Sequence, residues 1–314
     1  MMRFAPRPGG PAMLLAAAVA GCGGKPPDAC TAMLHLGDQP LEQRGEKLLA
    51  HMRINGGDAY LIVDTGADDN VLRKSAARRL GLSLLQSHVG YGEGFGGQFP
   101  IGTATASDVG LAGATGRALA FTVTDDDGKG GEVDGLLGMD LLGRMDVDLD
   151  LWGNKLGLYA PLAGCREPRT ALAGPLYGVA LRETRTDTRP IIDVTINGIT
   201  VRALIDSGLD RSLIFRRTAE RLGLVGNTQV VGSTQLRGLG PRVVDGELVV
   251  SPPIQLGDLT LSHLPVTIAD QARLGDTGVV LGYDFISRVH VWISHSSRTL
   301  IMQYPPSATP AVPP

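Results

Sequence analysis

The sequence of 314 residues predicts a mainly β protein built as two homologous lobes in one chain. Three observations predict it. The chain repeats itself at a near-constant offset, the signature of an internal duplication. Each copy reads as short apolar runs bounded by Asn-Gly and Gly-rich turns, which is the pattern of strands rather than of long helices. Gly (43) and Pro (20) together make up about a fifth of the chain, above the roughly 12% of average composition.

The duplication can be followed residue by residue. Ile54-Asn55-Gly56 matches Ile196-Asn197-Gly198, Val63-Asp64-Thr65-Gly66 matches Ile205-Asp206-Ser207-Gly208, and Arg79-Leu80-Gly81-Leu82 matches Arg221-Leu222-Gly223-Leu224, all offset by 142. From Asp64 to Leu82, 8 of 19 positions are identical to their counterparts, where chance gives about one or two. Further on, Leu119–Val123 matches Leu264–Ile268 at 145 and Leu137-Gly138 matches Leu281-Gly282 at 144. That drift reads as small loop insertions, which surfaces tolerate. The copies are placed at 31–160 and 173–304, with 161–172 as a linker and 305–314 as a Pro-rich tail expected to be disordered. Two copies are too few for a stable solenoid.

Within a copy the elements follow in order. Leu48–Ile54 and Ala59–Val63 flank the hairpin signal Asn55-Gly56-Gly57, and Ile191–Ile196 and Val201–Ile205 flank Asn197-Gly198. Lys74–Leu80 and Arg216–Leu222 read as short helices stopped by Gly81 and Gly223. Gly-rich stretches at 90–97 and 232–240 follow, then strands at 119–124, 155–159, 266–269 and 299–303.

Composition excludes several classes. Lys and Arg (29) nearly balance Asp and Glu (32), so there is no basic excess of the kind a nucleic-acid binder carries. No run of 18 apolar residues follows the first 25 residues, so no internal membrane span is expected. No cofactor or metal is expected: the six His lack metal-ligand spacing, and neither G-x-S-x-G nor H-E-x-x-H occurs. Gly92–Gly97 fits G-x-G-x-x-G but lacks the β-α-β context of a nucleotide site, and the 125–128 stretch lacks calcium-loop spacing.

Residues 1–21 read as a secretory signal, with Arg3 and Arg7 before a short apolar stretch and small residues after it. Val19-Ala20-Gly21-Cys22 resembles the lipobox of bacterial lipoproteins. That resemblance implies cleavage before Cys22, acylation of Cys22, and a tether over 22–30. The protein would then be held at the bacterial cell envelope, facing the periplasm. Gly23 after the cysteine favours the outer membrane over the inner by the same analogy. Cys30 and Cys165 remain, an even pair that suggests a disulfide in an oxidising compartment, with two free buried thiols as the alternative.

The chemistry lies in the repeated turn. Each copy ends an apolar strand in an Asp, Asp64 or Asp206, followed by a hydroxyl residue and Gly. A carboxylate at the end of a buried strand needs hydrogen-bond donors to stay ionised. Backbone N–H groups near Gly66 and Gly208 can supply them, and the Thr65 and Ser207 hydroxyls can lock the turns. A two-fold relation between the copies brings the turns together. Two carboxylates about 3 Å apart cannot both ionise, so they share a proton. The ionised member takes a proton from water and the other donates to the scissile carbonyl: acid–base peptide hydrolysis with no covalent intermediate.

The segment Leu61–Leu72 resembles the active-site segment of retroviral aspartic proteases, the retropepsins. Leu136-Leu137-Gly138 and Val280-Leu281-Gly282 resemble the family's apolar-apolar-Gly strand. The resemblance covers most of 45–304. It implies two retropepsin-like or pepsin-like β-barrel lobes with a cleft between them, in a monomer acting as a pseudo-dimer on an extended peptide or protein substrate. It also implies Asp64 and Asp206 as the catalytic dyad. Asp68 and Asp210 become substrate-contact positions, and the stretches at 90–97 and 232–240 become flaps whose Gly92, Gly94 and Gly238 approach the peptide.

Departures from the family pattern carry their own expectations. Leu209 stands where a small residue is expected and should narrow the second lobe's pocket. Ala67 and Leu209 both lack a hydroxyl, so the dyad loses donors to its charged form and should titrate higher. Met139 and Tyr283 replace the family's Arg after the apolar-apolar-Gly strand, so any ion pair to Asp68 must be missing or rebuilt. The competing reading is a catalytically weak or inactive peptide-binding lipoprotein of the same fold. A purely structural lipoprotein is the third.

Overall fold

The computed structural model describes residues 34–126, 133–160, 170, 172–184, 186–270 and 275–304. The signal segment 1–21, the tether 22–30, Cys22, Cys30, Cys165, most of the 161–172 linker and the tail 305–314 lie outside the described residues. The first copy runs β1 (Leu34–Arg44), β2 (Lys47–Ile54), β3 (Gly57–Val63), β4 (Val71–Arg73), α1 (Lys74–Arg79), β5 (Leu84–Gly94), β6 (Gly97–Leu111), β7 (Ala114–Thr124), β8 (Gly135–Leu137), α2 (Met139–Leu142), β9 (Asp146–Asp150) and β10 (Lys155–Ala160). The second runs β11 (Tyr177–Ala180), β12 (Ile191–Ile196), β13 (Ile199–Ile205), β14 (Leu213–Phe215), α3 (Arg216–Arg221), β15 (Val230–Leu236), β16 (Val244–Val250), β17 (Ile254–Leu256), β18 (Leu259–Leu261), β19 (Pro265–Ala269), β20 (Val279–Leu281), α4 (Tyr283–Ile286), β21 (His290–Ser294) and β22 (Thr299–Gln303). The protein is mainly β, in two retropepsin-like lobes.

Local chemistry explains the shared elements. In β3, Ala59, Leu61 and Val63 are buried while Asp58 and Tyr60 face out, the period-2 alternation of a half-buried strand. The β2–β3 turn has Asn55 at φ 49° and Gly56 at φ 79°, and the β12–β13 turn has Asn197 at 51° and Gly198 at 73°. Positive φ at both central residues is the type I′ hairpin that Asn-Gly favours. Each six-residue helix ends in the same cap. Gly81 (φ 68°) and Gly223 (φ 69°) take the left-handed conformation, and Leu82 N–H and Leu224 N–H reach back to the carbonyls of Ala77 and Ala219, both at 2.9 Å. That is a Schellman stop.

Threading within each copy delivers an aspartate to the centre. β3 pairs with β8 in parallel (Val63 opposite Leu137), and β8 also pairs antiparallel with β4. The second copy repeats this with β13, β20 and β14, placing Ile205 opposite Leu281. Both strands β3 and β13 end one residue before an Asp.

The last hairpins of the two copies leave their barrels and join. The order β11-β22-β21-β9-β10-β1 forms a sheet across the molecule. Its middle pairing sets Val147 opposite Ile293, Asp148 opposite Trp292 and Leu149 opposite Val291. Val147 and Leu149 correspond to Val291 and Ile293 at the 144 offset, so the pairing reads the same from either copy. β9 and β21 escape a simple hydrophobic reading because β9 is rich in Asp. Asp146 accepts from Ser294 and Ser296, and Asp148 bonds His290 at 2.5 Å. Their partners all come from the other copy.

Trp292 is fully buried there, with its ring 4.6 Å from that of Tyr159. Most buried apolar side chains of both copies form one large core, while Trp292 packs with Tyr159 and Ile301 in a small cluster that draws on both copies. Trp292→Ala should therefore cost about 3–5 kcal/mol, and in a denaturant melt followed by circular dichroism both lobes should still unfold in one transition. Two separated transitions would show that the lobes are energetically independent.

Candidate active site

The site is built from two copies of one turn. Asp64 N–H donates to the Leu137 carbonyl at 3.0 Å and Asp206 N–H to the Leu281 carbonyl at 2.9 Å, fixing each aspartate to the strand behind it. Asp64 Oδ1 accepts from Gly66 N–H and Ala67 N–H, both at 3.0 Å. Asp206 Oδ1 accepts from Gly208 N–H at 2.9 Å. The turns then cross. Thr65 N–H donates to Ser207 Oγ (3.1 Å) and Thr65 Oγ1–H to the Ile205 carbonyl (2.7 Å); Ser207 N–H donates to Thr65 Oγ1 (3.0 Å) and Ser207 Oγ–H to the Val63 carbonyl (2.6 Å). Both hydroxyls are buried and spend their donors and acceptors on the opposite lobe.

This lock brings Asp64 and Asp206 into hydrogen-bond contact. Each carboxylate lies so close to the other lobe's glycine that a Cβ at Gly66 would collide with Asp206, and one at Gly208 with Asp64. Here glycine is demanded by space, not by φ. Burial raises both carboxyls above the ordinary range. For Asp64 the charge of Asp206 adds to the rise, while Lys47 pulls the other way. For Asp206 the Gly208 N–H and the bond to Asp64 oppose burial. No side-chain hydroxyl among the described residues donates to either carboxylate.

Two lysine-or-arginine positions flank the dyad, and they were missed from sequence. Arg189 Nε pairs with Asp68 at 2.8 Å, and Lys47 Nζ pairs with Asp210 at 2.5 Å. Lys47 and Arg189 are 142 residues apart, the repeat offset, and each reaches into the other lobe. The offset alone marks them as equivalent, and that signal was available. The ion pair to Asp68 that the family's Arg would have made is thus rebuilt from the opposite lobe. Burial still pushes Asp68 up to about 6, against the attraction of Arg189 and with the charge of Asp187 adding. Arg189 is also held by Asp187 at 2.7 Å.

Asn70 and Ser212, again 142 apart, were also overlooked. Gly138 N–H donates to Asn70 Oδ1 at 3.1 Å and Gly282 N–H to Ser212 Oγ at 3.0 Å, so each turn is braced to its apolar-apolar-Gly strand. Asp284 accepts from Ser212 Oγ–H at 2.6 Å and supports that brace.

Over the dyad lie two flaps. β5 and β6 form one, with its tip at 94–97. The loop 237–243 between β15 and β16 forms the other. They are tied by Gly96 N–H to the Leu239 carbonyl (2.7 Å) and Arg242 N–H to the Gly96 carbonyl (3.0 Å). A cavity of about 110 Å³ lies beneath them. Asp64, Asp206, Gly66, Gly208, Asp68, Gly94 and Gly238 border it, together with an apolar wall that includes Leu136, Leu209, Leu213 and Val280. Two expected substrate contacts are elsewhere. Gly92 is buried against Phe99 and Ile101, and Asp210 is turned to Lys47; neither borders the cavity. Leu209, 8% exposed, stands in the second lobe's wall where the first lobe has Ala67.

A family model described as aspartyl protease matches the chain twice, over residues 50–141 and 192–285, together more than half its length. The chain belongs to the aspartyl protease family, and each match contains one of the two crossing turns. The chain is also similar to the Protein DDI1 homolog of Leishmania major, at 29% identity over 111 residues. That match covers 35% of this chain and 27% of the relative's length.

Two outcomes follow. Arg189 is nearly fully buried while Lys47 is about a third exposed. Arg189→Met should therefore cost about 3 kcal/mol, the cost of stranding a buried partner, and Lys47→Met under about 1 kcal/mol; equal losses in a urea melt would contradict the asymmetry. The second concerns pH. The folded carboxyl of Asp64 is raised above its unfolded value of 3.8, so the stability it contributes is complete below that value and is lost as pH rises through the folded value. Asp64→Asn, which cannot ionise, should gain on the wild type as pH rises above the unfolded value of 3.8. A stability gap that is flat with pH would contradict the raised carboxyl.

Proposed function

We propose that the protein is an aspartic endopeptidase in which Asp64 and Asp206, one from each lobe, share a proton and activate water against a peptide bond. The observation that carries this reading is the pair of buried, hydrogen-bonded carboxylates beneath two flaps. In the one-proton state the ionised carboxylate takes a proton from the attacking water. The protonated one donates to the carbonyl oxygen as it gains charge, and the departing nitrogen then receives a proton from the dyad. Gly66 and Gly208 N–H groups hold the carboxylates, and Thr65 and Ser207 hold the turns that carry them.

Substrate in this reading is an extended peptide, or a protein segment in that form. The flap tips are tied across the cavity by the two bonds through Gly96, so entry of an extended peptide parts the flaps by breaking them. Because both carboxyls sit above the ordinary range, the one-proton window moves toward neutral pH. The competing reading, peptide binding without turnover, draws on Leu209 narrowing the second lobe's wall.

Asp64→Asn and Asp206→Asn should each reduce cleavage of a peptide library by about a thousandfold or more with the fold intact by circular dichroism. Wild-type protein that binds library peptides and cleaves none would favour the competing reading. The pH–rate profile should be bell-shaped with its acid limb above the usual carboxylate range; a maximum near pH ~3 would contradict it.

We also propose that the chain is a lipoprotein of the bacterial cell envelope, anchored through Cys22 and facing the periplasm, on the outer membrane. The lipobox resemblance at 19–22 supports this. Among the described residues no helix is long and apolar enough to cross a membrane. Cys22→Ser should move the protein from the membrane to the soluble fraction, and an unchanged distribution would overturn the anchor.

A further inference from the structure

The two flap tips meet as Gly94-Phe95-Gly96 on Gly238-Leu239-Gly240. A Cβ at Gly94 would run into Leu239, and a Cβ at Gly238 would meet Phe95 Cβ at 2.8 Å. The two central side chains then go different ways. Phe95, from the first copy's flap, packs against an apolar cluster made otherwise of second-copy residues, among them Leu209, Leu213, Phe215, Leu236 and Val280. Leu239 joins none of the apolar clusters found among the described residues.

Three members of that cluster, Leu209, Leu213 and Val280, border the cavity together with Phe95 and both dyad aspartates. This apolar wall therefore flanks the place where a peptide lying over the dyad would put a side chain. The first lobe does not match it. At the offset of 142, Leu209 and Phe215 become Ala67 and Arg73, so an aromatic floor exists on one side only. Phe95 is half-buried and sits between two glycines. Gly96 beside it carries both flap-to-flap hydrogen bonds. Parting the flaps thus draws the ring off the wall in the same motion.

We infer that Phe95 stands in for a substrate side chain: with the flaps closed it covers the second lobe's apolar wall, and a peptide enters by replacing it there with a large apolar residue of its own, beside the bond to be cut. The inference rests on the protease reading for its placement of the peptide, and it adds the class of side chain required and the residue that side chain displaces. The event is an exchange. Leaving the wall uncovered has a cost in water, and only a side chain that covers it as Phe95 does recovers that cost. If Phe95 instead stayed in place as part of the peptide's pocket, removing it would weaken binding. The two arrangements therefore differ in sign.

The test uses three synthetic peptides of one polar sequence with Phe, Leu or Ala at the centre. Their binding to Asp64→Asn is followed by fluorescence anisotropy, alone and combined with Phe95→Ala or Phe95→Leu. Cleavage of the same peptides is measured with Asp64 intact. Phe95→Ala should tighten the Phe peptide about tenfold, the lower part of the range for burying a large apolar side chain because the ring is half-buried, and Phe95→Leu should tighten it less. The Phe peptide should bind about tenfold or more above the Ala peptide in every background. If Phe95→Ala loses the wild-type circular dichroism spectrum, the sign of the Phe95→Leu change decides. Unchanged or weaker binding of the Phe peptide to the Phe95 variants, or equal binding of the Phe and Ala peptides, overturns the inference, and cleavage by wild type then leaves the protease reading standing. Tighter binding to the Phe95 variants with no cleavage by wild type upholds the inference and overturns the protease reading.

Discussion

Four hydrogen bonds made by Thr65 and Ser207, two to each other and two to the Ile205 and Val63 carbonyls, hold this molecule's centre together. They cross from lobe to lobe in both directions and leave neither hydroxyl free. Their effect is to force two buried carboxyls into contact, an arrangement that is unfavourable by itself because two such groups cannot both ionise. A surface loop could not hold it. The turns are braced by their own strands, by Asn70 and Ser212 from behind, and by Lys47 and Arg189 from the sides. The cost of burying the pair is thus distributed over both lobes, and in the proposed mechanism the proton it shares is a consequence of packing.

The lobes are equivalent in plan and different in detail. The same offset relates Lys47 to Arg189, Asn70 to Ser212, and Ala67 to Leu209, yet no pair is chemically identical. Arg189 is buried and shared between Asp68 and Asp187, whereas Lys47 is more open and also donates to the Gly208 carbonyl at 2.6 Å. Phe95 and Leu239 at the two tips extend the divergence to the flaps. A homodimer cannot distinguish its two halves, but a duplicated chain can.

Much of this was legible in the sequence because the duplication doubled every local signal. Asn55-Gly56 and Asn197-Gly198 marked hairpins, and Gly81 and Gly223 marked helix ends, each with a backbone conformation that other residues adopt at a cost. Asp64 and Asp206 stood out for the same reason, as an ionisable residue at the end of an apolar strand, twice. The central sheet was harder to see. Asp146 and Asp148 lie in β9, where a local reading finds a polar segment; only the serines and histidine of the other copy make those carboxylates tolerable inside. The flap strands were obscured by their glycines, which weaken β propensity and become strand only through pairing with β6. Long-range ion pairs such as Arg189 with Asp68 leave no local pattern.

The account stands on a single proton held between two carboxyls. Selective carbon-13 labelling of aspartate side chains, with the Asp64 and Asp206 signals assigned through their Asn variants and followed by NMR across pH, reads that proton directly. The account predicts two coupled steps, with the upper one well above the ordinary aspartate range and absent when either partner is Asn. Two independent titrations near the ordinary value of 3.8 would contradict it.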